Sequence, residues 1–142
     1  MTKLGPLHHV AIAVPRIANA LPFYRDTLGL RAGEPRELAG ERVRVIFLGD
    51  VPPLLELVEP LDDGSGVSRF VAERGRATLH HVCYVVDDLA RALERLAAEG
   101  VQLIDRAPRS GAEGNVAFVH PRASGGVLIE LIDRSSLRHS VP

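Results

Sequence analysis

One cysteine, Cys83, is all the thiol that the 142 residues contain. An intramolecular disulfide framework is therefore excluded, a reducing compartment is consistent, and Cys83 reads as a small buried strand residue. No apolar run approaches the length needed to cross a bilayer, and Met1-Thr2-Lys3-Leu4-Gly5-Pro6 lacks the apolar stretch of a signal peptide, so the expected location is cytoplasmic, with no membrane partner. Charge of one sign is also missing. With 17 basic and 18 acidic residues interspersed, the net charge of -1 gives no field for nucleic acid or an anionic membrane, which points to a small-molecule partner. No Ser-His-Asp order, P-loop, dinucleotide fingerprint or CxxC pair is present. What remains is the composition of an ordinary folded domain, 46% hydrophobic and 25% charged, long enough to bury a core without staples.

Against this plain background the chain repeats itself. Leu7-His8-His9-Val10 returns as Leu79-His80-His81-Val82, and the ungapped comparison of Leu7 to Leu21 with Leu79 to Leu93 gives eight identities in fifteen. A second pair closes each copy, since Leu54-Leu55-Glu56-Leu57-Val58-Glu59 reappears as Leu128-Ile129-Glu130-Leu131-Ile132-Asp133. Each half opens with a histidine strand and closes with a glutamate strand. Module one spans about 7–60, a linker with a short helix about 61–76, and module two about 79–133; a flexible tail is expected over 135–142. The whole of 1–142 reads as a single duplicated domain.

Within each module the expected order is strand, helix, then two or three strands. Leu7 to Val14 alternates, with Val10, Ile12 and Val14 on one face and His9, Ala11 and Ala13 on the other. The same alternation puts His81 with Cys83 and Val85, so His9 and His81 are the matching functional choices, rather than His8 and His80. Ile17, Leu21, Tyr24 and Leu28 recur at helical spacing up to Gly29, with Pro22 predicting a start near Asn19 or a kink. In the second module Asp87 and Asp88 cap a helix striped by Leu89, Leu93 and Leu96 and stopped at Gly100. Strands are expected at Val43 to Leu48 and Leu54 to Glu59, then at Val101 to Ile104, Val116 to His120 and Val127 to Ile132. Asp62 to Gly66 reads as the linker, followed by a helix carrying Val67, Phe70 and Val71 and ending at Gly75. The polar loop from Arg106 to Asn115 reads equally as a substrate-contacting loop or a solvated hairpin connection.

Glu56 and Glu130 each lie among aliphatics, where a carboxylate costs several kcal/mol unless paired, protonated or bound to a cation. Two histidines and two carboxylates at matching places of a duplication, His9, Glu56, His81 and Glu130, meet that need by holding one divalent ion. The donor set suits Co, Mn, Ni, Fe, Mg or Zn without separating them. An open site of this kind chelates a substrate through adjacent oxygens, acidifies a proton next to a carbonyl and holds the resulting enolate, with a nearby carboxylate as base.

Leu7 to Pro15, Phe23-Tyr24, Leu28-Gly29, Leu54 to Pro60, Leu79 to Val82, and His120-Pro121 through Gly125 to Leu131 together resemble the methylmalonyl-CoA epimerases of the vicinal oxygen chelate (glyoxalase/bleomycin resistance) superfamily. The resemblance runs from about Leu7 to Asp133. It implies an α+β fold in which paired βαβββ modules form a cupped mixed sheet around the metal, with His9, Glu56, His81 and Glu130 as ligands. It further implies an acyl-CoA substrate, epimerised at C2 through a metal-stabilised enolate, with no organic cofactor. Glu130 is the first candidate for the base, with Glu56 the alternative for the second acid/base group; Glu41 is a weaker candidate. Arg42, Arg44, Arg109 and Arg122 are candidates for binding carboxylate or phosphate without being assigned. The rival readings are a lactoylglutathione lyase of glyoxalase I type and a metal-free, small-molecule-sequestering resistance protein. A homodimer is expected by way of an exposed sheet edge or helix face.

Overall fold

The computed structural model describes residues 2–139. Two compact units are present, Val10–His80 and Met1–His9 with His81–Pro142. They are called here the central and the terminal unit. The chain passes from one to the other twice, just after the first His-His pair and between the two residues of the second.

In the central unit β1 (Leu7–Ala13), whose first three residues belong to the terminal unit, leads into α1 (Ile17–Pro22). Helix α1 begins two residues earlier than Pro22 suggested. A side chain from elsewhere explains this: Glu59 Oε1 accepts the Ile17 N–H at 2.6 Å, supplying the cap that Arg16 cannot give. Pro22 then closes the α-helix, and Phe23–Thr27 continue as a π-helical turn in which the Leu28 N–H reaches back to the Phe23 carbonyl. Three strands follow, β2 (Arg36–Leu38), β3 (Val43–Leu48) and β4 (Leu54–Pro60), paired antiparallel in that order and followed by β1. Val14, Ile17, Ile46, Leu48 and Leu57 form the buried core, with Leu21 and Tyr24 of the helical segment packed against it. The short strand β2 has no sequence signal of its own; it exists because Arg36 to Leu38 find an open edge at β3. Helix α2 (Gly66–Arg74) is the expected linker helix, capped by Ser65 and ended by Gly75 in the left-handed region (φ 66°).

In the terminal unit β5 (Thr78–Val86) begins in the central unit and runs on into α3 (Leu89–Ala98), β6 (Arg109–Ser110), β7 (Asn115–Val119) and β8 (Ile129–Asp133). The order is β1-β5-β8-β7-β6; β5 and β8 are parallel and the β8-β7 and β7-β6 pairs antiparallel, so the sheet is mixed. Leu89, Ala92 and Leu93 of α3 pack on Val86, Ala117, Val119 and Leu131, the stripe expected from the sequence with Ala92 added. The predicted strand at Val101 to Ile104 is reduced to one bridge, Leu103 to Val119. The reason is local: Asp105 Oδ2 takes the Phe118 N–H at 2.8 Å, so a side chain occupies the next ladder position. The Arg106 to Asn115 loop is the hairpin between β6 and β7, closed by the Gly111 N–H on the Gly114 carbonyl. Arg134–Ser136 form a 3-10 turn, and the Arg138 N–H donates to the Glu113 carbonyl. Residues 140–142 of the expected tail lie outside the described residues.

The duplication carries a structural device. Asp133 Oδ2 accepts the Leu89 N–H at 3.0 Å, as Glu59 does for Ile17. The matching carboxylate near the end of each closing strand thus caps the helix of its own half, and Asp88 takes the Arg91 N–H. Replacing Glu59 or Asp133 by alanine is expected to cost about 1 kcal/mol each, the usual worth of an N-cap. Urea unfolding of the two variants, read against Glu34→Ala as an exposed control, checks this.

Candidate metal centre

Register places the site. On parallel β5 and β8, Cys83 stands opposite Glu130. His81, two residues before Cys83, shares its face, so His81 and Glu130 are diagonal neighbours on the side of the sheet away from α3. His9 comes from the start of β1. The three side chains converge: His9 Nε2 lies 3.0 Å from Glu130 Oε1, His81 Nε2 lies 3.2 Å from the same oxygen, and the two Nε2 atoms are 3.2 Å apart. All are buried, His9 at 3% exposed, His81 and Glu130 at 7%.

Three electron-pair donors so close repel one another unless protons or a cation lie among them. Burial pushes the Glu130 carboxyl up, but the charges and hydrogen bonds of His81 and His9 outweigh it and hold the group below the usual carboxylate range. Glu130 is therefore an anion at neutral pH, the form a ligand needs. Neighbouring donors on one first-row ion with bonds of about 2.1 Å stand about 3 Å apart when at right angles. The observed spacings and the two-nitrogen, one-oxygen donor set fit a divalent ion.

Glu56, the fourth expected residue, sits on β4 in the central unit, 6% exposed and opposite Phe47 in the β3 register. Three of the four candidate arginines are engaged by acids. Arg44 is shared between Glu59 and Glu37 at 2.8 Å each, Arg42 pairs with Asp62, and Arg109 with Asp105. Arg122 stands in the 3-10 turn after β7, and Glu41 in the turn before β3. Two contributors escaped the sequence reading. Phe118, opposite Glu130 on β7, packs its ring at 90° to His81 with centroids 5.3 Å apart, walling that imidazole. In a chain with only four phenylalanines its place on a predicted strand was the available signal. His8, set aside by the alternation, lies with its Nδ1 at 2.8 Å from His9 Nδ1.

Residues 8–119 match the family model described as Glyoxalase/Bleomycin resistance protein/Dioxygenase superfamily. The chain belongs to that superfamily. Within it, the chain is 36% identical to the mitochondrial methylmalonyl-CoA epimerase of Dictyostelium discoideum, over 92% of this chain and 80% of the relative. It is 38% identical to the ethylmalonyl-CoA/methylmalonyl-CoA epimerase of Cereibacter sphaeroides, over 90% of this chain and 97% of the relative. Among solved structures, a methylmalonyl-CoA epimerase in complex with methylmalonyl-CoA and NH4+ superposes with a TM-score of 0.88 at 26% identity, covering 99% of this chain and 100% of the other. The mixed eight-stranded α+β fold is that of the superfamily. Among the described residues no helix is long and apolar enough to cross a membrane.

Metal binding has a signature in stability. Co²⁺ at about a hundred times its dissociation constant is expected to raise the unfolding free energy by about 2.7 kcal/mol, with Glu130→Gln losing most of that gain. An unfolding midpoint indifferent to Co²⁺, Mn²⁺ and Zn²⁺ would count against the centre. In the metal-free chain the lowered Glu130 pKa contributes stability that is complete above the ordinary carboxylate value of about 4.3 and lost as pH falls through the folded value. Acid titration of the fold by circular dichroism should show Glu130→Gln lacking that part of the loss.

Proposed function

We propose that this chain is a methylmalonyl-CoA epimerase, an isomerase that inverts C2 of an acyl-CoA thioester and depends on one divalent metal ion. The observation that carries the reading is the buried convergence of His9, His81 and Glu130 in a chain of this family. Glu56, the carboxylate at the place in the first module that matches Glu130 in the second, is proposed as the fourth ligand. A divalent ion bound there supplies a Lewis acid for the negative charge that develops on the thioester oxygen as C2 loses its proton. The named relatives act on malonyl-type CoA thioesters, which supports that substrate class.

Inversion at one carbon takes two proton carriers, one removing the C2 proton from one face and one returning a proton from the other. Glu130 is assigned the first transfer and Glu56 the second. Glu130 is already ionised, so it accepts a proton without first losing one; its lowered pKa makes it a weak base, which suits it to a proton acidified by the neighbouring charge. Phe118 keeps water from one side of His81, which lowers the local dielectric and strengthens every charge interaction at the cluster. A cytoplasmic location and a homodimer complete the proposal; sedimentation velocity checks the second.

Solvent deuterium incorporation at C2 of methylmalonyl-CoA tests the chemistry directly. The expected result is exchange that disappears on metal stripping, returns with Co²⁺, and falls by about a hundredfold or more in Glu130→Gln, the usual worth of an acid/base group. No exchange by a Co²⁺-loaded wild-type chain would remove the epimerase reading. Turnover of the methylglyoxal-glutathione hemithioacetal in its place would move the site to lyase chemistry.

A further inference from the structure

His8 is 0% exposed, more completely buried than either histidine of the cluster, and no proposed step uses it. Burying an imidazole costs free energy unless its polar atoms are engaged. Its Nδ1 lies 2.8 Å from His9 Nδ1, with the rings edge to face and their centroids 5.1 Å apart. Two ring nitrogens at that separation share one proton, so one ring donates and the other accepts.

The other side of His9 decides which. Its Nε2 faces His81 Nε2 and Glu130 Oε1. To present an electron pair there, the neutral ring must carry its proton on Nδ1, and that N–H then points at His8 Nδ1. We infer that His8 is a positioning residue: it accepts from His9 Nδ1–H and so holds His9 in the one tautomer, and the one ring orientation, that turns a lone pair toward the cluster. The inference rests on the metal reading of the site. In the reverse arrangement His8 donates, the His9 proton moves to Nε2, and an N–H blocks the place a cation would take. The far N–H of a ligating histidine normally donates to a carboxylate, a carbonyl or a water. Here a neutral imidazole accepts, which fixes the ring without adding a further negative charge to a buried centre.

Cys83 lies close enough to His8 and His9 to form a second buried group of potential donors. That group is not read as another metal site, because the two nitrogens stand at proton-sharing distance. Nor does the duplication predict the role. His80, at the matching position of the second copy, sets its ring edge to face against Phe70 of α2 at 4.8 Å. The two first histidines of the two pairs have taken different work.

Three substitutions separate positioning from packing. Asparagine places an acceptor oxygen near the position of His8 Nδ1, glutamine reaches instead toward Nε2, and leucine has neither. Calorimetric Co²⁺ titration of the full-length, metal-stripped chain is expected to show His8→Leu and His8→Gln binding about 10- to 100-fold more weakly than wild type, and His8→Asn within about threefold of it. Urea unfolding of the same metal-free proteins supplies the packing control. Wild-type Co²⁺ affinity in His8→Leu would overturn the inference and leave the metal reading standing. Equal weakening of His8→Asn and His8→Leu, in step with lost metal-free stability, would reduce His8 to packing and overturn it too. A wild-type chain that binds no Co²⁺ would overturn the metal reading and this inference together. Should the leucine variant not fold, the asparagine and glutamine pair decides.

Discussion

Three ligand-type groups crowded within 3.2 Å of each other, out of reach of water, form an arrangement that opposes itself unless protons or a cation lie among them. It persists because the scaffold over-determines it. His81 is fixed by the parallel register of β5 on β8, Glu130 by the same register and by Phe118 opposite it on β7, and His9 by a strand whose neighbouring residue grips its ring. The face bearing these groups is held because the other face is committed to α3 through Leu89, Leu93 and Leu131. A one-residue slip of β8 would turn Glu130 into the hydrophobic layer and bring Leu131 to the donors, so the apolar packing and the polar site specify one register between them.

Much of this could be read without coordinates, and for an identifiable reason. The repeat of His-His and of the glutamate strands is a pattern at the level of whole modules, and strand alternation, with a period of two, correctly put His9 and His81 on the face they occupy. The helix stripe at Leu89, Leu93 and Leu96 has the same transparency. What failed depended on side chains substituting for backbone. Glu59 starts α1 early and Asp105 cuts a strand to a single bridge; both act over more than ten residues of sequence, where no local pattern reports them. The His8–His9 contact was not legible because alternation assigns a residue to a face by its Cβ direction, whereas an imidazole can lean toward the next residue along the strand.

The duplication has been kept where it builds and released where it works. Closing-strand carboxylates cap the helices of both halves, and both helices stop at a left-handed glycine, Gly29 or Gly100. The first helix, however, breaks into a π turn after Pro22 while the second runs regular for ten residues. His8 and His80 have diverged in the same way. Divergence at equivalent positions is what a duplicated module permits once one copy alone secures the packing.

The chain passes between its two units just after the first His-His pair and inside the second, and this has a bearing on how the protein is made. His9 leaves the ribosome early, yet the strands that complete its unit begin at His81 and end beyond Glu130. The nascent central unit can gather its own core while the first nine residues wait for partners more than seventy positions later. Closing so long a loop is among the slower events of folding. The donors are therefore assembled late, and a chain truncated before β8 lacks Glu130 and with it the centre.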